Sequence, residues 1–148
     1  MPKKPKFKLL ASPSAPGSAW RAILKRESPA AFALAFASEP ILVASVANAT
    51  VHGAVAIRKF FTTSAGVYEE IAFTAEATVA QTTYLHWKGS ALGHKTIEGL
   101  TVLARDNAGL IERIELYHRP LSIVLAFARE LEKRLGDTST ARLFADPQ

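Results

Sequence analysis

Gly109-Leu-Ile-Glu-Arg-Ile-Glu-Leu-Tyr-His-Arg-Pro120 alternates apolar and polar residues and then runs directly into a helical pattern. Alternation with a period of two is the mark of a half-buried strand, whose successive side chains point to opposite faces. The same pattern recurs three times upstream, at residues 67–74 or a little beyond, 82–91 and 94–105, and the fourth strand spans 110–118. Leu92-Gly93 and Asp106-Asn107-Ala108-Gly109 supply tight-turn chemistry between strands, so the four form an antiparallel meander. Pro120 opens a helix over 121–135, with Leu121, Val124, Leu125, Ala128, Leu131 and Leu135 as its apolar stripe.

Working backward, His52-Gly53 begins a helix with Val55, Ile57, Phe60 and Phe61 on one broad face, ending near Thr62 or Thr63. Residues 41–47 read as a short strand and 48–50 as a turn. Residues 18–37 read as two short helices or one kinked helix, with Trp20, Ile23 and Leu24 on one face and Ser28-Pro29 as a cap and first-turn proline. Glu39-Pro40 is read as the stop. The fold class is α+β: a curved antiparallel sheet packed on N-terminal helices, with an extra C-terminal helix, whose concave face leaves a cavity of small-molecule size.

A chain of 148 residues has the length of one domain. The division expected is a flexible basic leader at 1–17, the domain at 18–136 and a flexible tail at 137–148. Lys3, Lys4, Lys6 and Lys8 supply four of the five net positive charges and leave the remainder at +1. A neutral body without a basic stripe argues against nucleic acid as partner. No apolar run approaches the roughly 20 residues needed to span a bilayer, and the absence of cysteine removes disulfides and thiolate chemistry; a soluble, cytoplasmic protein is expected.

Phe36-Ala-Ser-Glu-Pro, followed by His52-Gly-Ala-Val-Ala-Ile-Arg-Lys-Phe-Phe61, resembles the nuclear transport factor 2-like (NTF2-like) superfamily. Trp87, Gly93, Gly99, residues 106–109 and Arg119-Pro120 add a similarity to its SnoaL-like bacterial members. The resemblance covers residues 20–135 and implies a cystatin-like α+β cone. That fold hosts isomerases, cyclases, dehydratases, epoxide hydrolases and purely binding members, so it does not fix a function. Against the ketosteroid isomerase pattern, the general-base aspartate falls on Ala44, the oxyanion-hole tyrosine on Trp20, and the oxyanion-hole aspartic acid on Thr101 or, shifted by one, Val102. Alanine cannot abstract a proton and threonine is only a weak donor, so that chemistry is excluded. The Asp-Arg-Asp set of epoxide hydrolases has no counterpart either.

Counting from Gly109 puts Glu112, Ile114, Leu116 and His118 on one strand face, which by the resemblance lines the pocket. His118 is therefore the candidate catalytic group, with Glu112, six residues away on the same face, as its candidate carboxylate partner. Trp20, Phe36, Phe60, Trp87, Thr101, Ile114 and Leu116 are the candidate ligand-binding residues, with Gly89 leaving room beside Trp87. His52, His86 and His94 are too scattered for a metal site, Glu69 and Glu70 face opposite sides, and no Gly-rich loop opens a helix, so neither metal nor cofactor is expected. The opposite sheet face, with His86, Lys88, Arg113, Glu115, Tyr117 and Arg119, suits a homodimer contact. Two functions follow: an NTF2-like cone binding a small, mainly apolar molecule, with proton transfer as an isomerase, cyclase or hydrolase its chemistry; or a non-catalytic dimerising or protein-binding module whose cavity is filled.

Overall fold

Six strands form one mixed sheet in the order β2-β1-β6-β5-β4-β3, with helices on its inner face, in a computed structural model that describes residues 15–135 and 143–144. The elements are α1 (Ser18–Leu24), α2 (Pro29–Ala33), β1 (Phe36–Ala44), β2 (Val51–His52), α3 (Ala54–Ala65), β3 (Tyr68–Val79), β4 (Thr82–Ala91), β5 (Lys95–Arg105), β6 (Ile111–Arg119) and α4 (Leu121–Leu135). Residues 1–14, most of the expected leader, lie outside the described residues. Its end, Gly17, is buried against Phe73 and donates its N–H to Glu76 Oε1 at 2.9 Å. At the other end, Leu143 is buried in the core and its carbonyl accepts from Ala49 N–H, so the chain returns to the core where a frayed tail was expected.

The four-strand meander forms in the expected order, and β3 to β6 are antiparallel neighbours. The sheet as a whole is not antiparallel, however, because β1 runs parallel to β6, Leu42 beside Ile114 and Ala44 beside Leu116. Strand β1 also starts five residues before the expected strand. Phe36, Ser38 and Glu39 are extended rather than helical, and Pro40 sits inside the strand at a shift in register between Phe36 and Ile41. A register shift is where a strand tolerates a residue without an N–H. His52 belongs to β2, which pairs with Ile41, and α3 continues to Ala65, beyond Thr63.

Two further differences concern which face is buried. Helix α4 buries Ile123, Phe127, Leu131 and Leu135, whereas Leu121 is 73% and Leu125 48% exposed. The sequence carries two overlapping apolar stripes, and the one containing the larger Phe127 packs inward. In β6 a register shift opposite Ala104 and Arg105 leaves Ile111 buried and Glu112 exposed, so Glu112 does not share the inner face with Ile114, Leu116 and His118.

Candidate functional site

The inner face is organised in rows across the sheet. Ala44, Leu116, Thr101 and Leu85 make one row, and His118, Gly99, Trp87 and Phe73 the next. Gly99 is what allows the second row to lie flat: a Cβ there would run into the Trp87 indole and the Tyr117 carbonyl. The indole therefore lies over bare backbone and meets the His118 ring at 5.2 Å, edge to face. Gly89, expected to leave room beside Trp87, instead lies against the backbone of Glu70.

Above these rows the helices leave a cavity of about 500 Å³. Trp20, Trp87, Thr101 and Leu116 line it, whereas Phe36, Phe60, Ile114 and His118 do not. Phe36 stacks on Phe32 at 4.8 Å, and Ile114 is enclosed between Leu42 and Leu103. On α3, Ile57, Phe60 and Ser64 are buried while Arg58, Phe61, Thr62 and Ala65 line the cavity, so the wall is Phe61, one residue from the expected Phe60. The two phenyls are about 100° apart around the helix and only the packing separates their roles. Phe61 meets Trp20 edge to face at 5.3 Å. Val102, the shifted alternative to Thr101, points to the outer face beside Tyr84 and Glu115.

Polar groups are sparse in the two sheet rows beneath the cavity. Thr101 is buried and lines the cavity. Ser64 also lines the cavity, and its Oγ is buried without a partner. His118 lies one layer deeper, 9% exposed, with both ring nitrogens engaged. Nε2 is 2.7 Å from Tyr68 Oη and Nδ1 is 3.2 Å from Ser45 Oγ, which also accepts the His118 backbone N–H at 2.9 Å. The partner expected from sequence, Glu112, is absent from this set. With no carboxylate nearby, burial pushes the imidazole down to about 4, so it is neutral at physiological pH. Burial likewise pushes the Tyr68 phenol well above its ordinary value. Tyr68 itself lines the cavity and packs against Trp87, Phe127 and His118.

Two proton arrangements satisfy this chain. Tyr68 can donate to Nε2 while Nδ1–H donates to Ser45, or Ser45 can donate to Nδ1 while Nε2–H donates to Tyr68. Ser45 is solvent-exposed, so the chain links a residue of the cavity wall to the surface. Tyr68 was not singled out from sequence, since its partner lies 50 positions away.

The other histidines have separate settings. His52 is exposed on β2, His86 Nδ1 lies 2.6 Å from Thr74 Oγ1, and His94 Nδ1 lies 3.4 Å from Glu69 Oε1. Among the described residues no group of three His, Asp or Glu could hold a metal ion. The outer face presents the expected charges in satisfied sets: Glu115 accepts from Tyr117 Oη at 2.6 Å and Arg113 Nε at 2.7 Å, and Arg119 pairs with Glu98 at 2.7 Å. The bonds from Tyr117 and then Arg113 hold the Glu115 carboxyl below its ordinary range. Between these groups lie Val43, Tyr84, Leu100 and Val102.

No protein-family model matches the chain, and no curated protein matches its sequence. Solved structures do share its architecture. A steroid Δ-isomerase from Pseudomonas aeruginosa is 20% identical, with 84% of this chain and 92% of that chain aligned at a TM-score of 0.71. An uncharacterised bacterial protein with a cystatin-like fold from Silicibacter pomeroyi DSS-3 is 15% identical, covering 93% and 96% at 0.72. An NTF2-like protein of unknown function from Burkholderia pseudomallei K96243 is 13% identical, covering 65% and 82% at 0.50. The fold is thus the cystatin-like, NTF2-like α+β cone. No helix among the described residues is long and apolar enough to cross a membrane.

Proposed function

We propose that this cone-fold chain encloses a small, mainly apolar molecule between Trp20 and Phe61 on the helices and Trp87, Thr101 and Leu116 on the sheet. The observation that carries this reading is the cavity of about 500 Å³ beneath aromatic walls. Small-molecule sites span about 300–1,000 Å³ and combine apolar walls with a few convergent polar groups. The unpartnered hydroxyl of Ser64, with the Thr101 hydroxyl in the same lining, suits that role. The same volume weighs against a protein-binding module with a filled interior. Native mass spectrometry of the purified chain tests the reading. A retained small molecule, lost when Leu116→Trp fills the space, is the expected result; the bare mass alone for both proteins speaks against it.

For chemistry, a relay of Tyr68 and His118 replaces His118 acting directly. As Tyr68 Oη accepts a proton it passes its own to Nε2, Nδ1 releases its proton to Ser45 Oγ, and the exposed Ser45 gives its hydroxyl proton to solvent, so the imidazole changes tautomer without carrying charge. In that role Tyr68 is the group beside the ligand and His118 its positioning and relay partner, consistent with a proton-transfer isomerase, cyclase or hydrolase. On any substrate found for the protein, Tyr68→Phe abolishes turnover with KM little changed, while unchanged turnover removes the relay. The outer face, with Tyr84, Leu100, Val102 and Tyr117 framed by paired charges, is the surface for a homodimer.

A further inference from the structure

The rim of the cavity differs from its floor. Arg21 and Lys25, one turn apart at the C-terminal end of α1, and Arg58 on α3 all line it. None of the three forms an ion pair among the described residues. Arg21 Nη2 donates to the Ile71 carbonyl at 2.9 Å, with its guanidinium 5.1 Å from the Phe73 ring centre. Arg58 Nη2 donates to the Glu27 carbonyl at 2.7 Å. These bonds fix both guanidinium groups in place and leave their charge uncompensated.

Two carboxylates share the wall, but one is already occupied. Glu69 accepts from the N–H of Gly93 at 3.1 Å and of His94 at 2.9 Å, closing the β4–β5 turn. Glu70 forms no ion pair among the described residues. Three uncompensated cations therefore stand against one uncompensated carboxylate. Cations at the end of α1 complement its partial negative charge, which accounts for Arg21 and Lys25 without a ligand. It does not account for Arg58, which comes from another helix and converges on the same rim.

Resting on the reading of the cavity as a ligand site, we infer that its ligand is an amphipathic anion: a flat apolar body on Trp20, Phe61 and Trp87, with a carboxylate at the rim held by Arg58, Lys25 and Arg21. A guanidinium fork matches a carboxylate in two-point geometry. A doubly charged phosphate fits less well, because Glu70 stands on the same wall.

Titration calorimetry of the full chain with 2-naphthoate and its neutral isostere 2-naphthamide tests this. Expected is an affinity about tenfold higher for the carboxylate, shrinking with added salt as a charge-assisted contact is screened. Lys25→Gln, on an exposed side chain that leaves folding intact, and Arg58→Gln should each erode that preference while leaving naphthamide binding within about twofold. Equal binding of the two probes overturns the anion-binding rim and leaves the cavity reading standing. Binding of neither overturns both.

Discussion

The two faces of the sheet are built from the same strands and solve opposite problems. Around the cavity, large aromatics surround space they do not fill, and the buried polar groups are few: Thr101, Ser64 with an unpartnered hydroxyl, and one layer deeper His118 with two partners. On the outer face, the charges neutralise one another within the surface, as in Arg113–Glu115–Tyr117 and Arg119–Glu98. The difference teaches that the inner face is the one with polar capacity unspent, which is what the proposed small-molecule site requires. A face whose charges are paired at home suits contact with a copy of itself.

The contrast breaks most severely at Gly99. Gly99→Val drives a side chain into Trp87 and the Tyr117 carbonyl, and overpacking against a backbone atom should cost about 3 kcal/mol or more, read from urea denaturation. An unchanged midpoint would show that Trp87 does not depend on a bare strand beneath it.

Next in size is the pH response of the inner face. His118 is held down to about 4, against an ordinary value of 6.5, by burial. Between those values the unfolded chain binds a proton that the folded chain refuses, so stability falls as pH drops from 6.5 to 4 and the effect is complete below 4. The loss is on the order of 2–3 kcal/mol. His118→Gln should flatten that part of the stability–pH curve. The outer-face carboxylates Glu98 and Glu115 are instead held below their ordinary value, Glu98 chiefly by its bond to Arg119 and Glu115 chiefly by Tyr117. Their contribution is lost only as pH falls below the ordinary carboxylate range, so the two faces separate on a pH axis. A slope between 6.5 and 4 that survives His118→Gln contradicts this assignment.

Smaller effects sharpen the same contrast. Gly93 has φ +84° with open space around it, so Gly93→Ala should cost about 1 kcal/mol from backbone strain alone, well below Gly99→Val. Tyr117→Lys, on a residue 49% exposed, should change the stability of the single chain by no more than about 0.5 kcal/mol. Light scattering tests the proposed homodimer: a dimer for the wild type and a monomer for Tyr117→Lys is the expected result, and a wild-type monomer at high concentration contradicts the outer-face contact.

Much of this architecture was legible in local sequence. The meander followed from alternation punctuated by Leu92-Gly93 and residues 106–109, because hairpin pairing depends on neighbours in the chain. What escaped depended on distant partners. Pro40 looked like a helix stop, yet β1 is held by parallel pairing with β6 some seventy residues on, and a register shift accommodates the proline. Phe60 and Phe61 are interchangeable on a helical wheel until the sheet arrives. His118 was found by counting along β6, but its partners come from β3 (Tyr68) and the turn after β1 (Ser45), and Glu112 was lost from its face through an irregularity that the alternation does not reveal. The convergence of Arg58 with Arg21 and Lys25 has the same origin.

The most direct test of the central claim is a fluorescence titration with the neutral apolar probe N-phenyl-1-naphthylamine, following both probe emission and energy transfer from Trp20 and Trp87. An open cone predicts saturable one-to-one binding that Leu116→Trp removes while the circular dichroism of the variant stays native. Binding that is absent, or unchanged in that variant, means the space above Thr101 and Leu116 is not where a ligand sits.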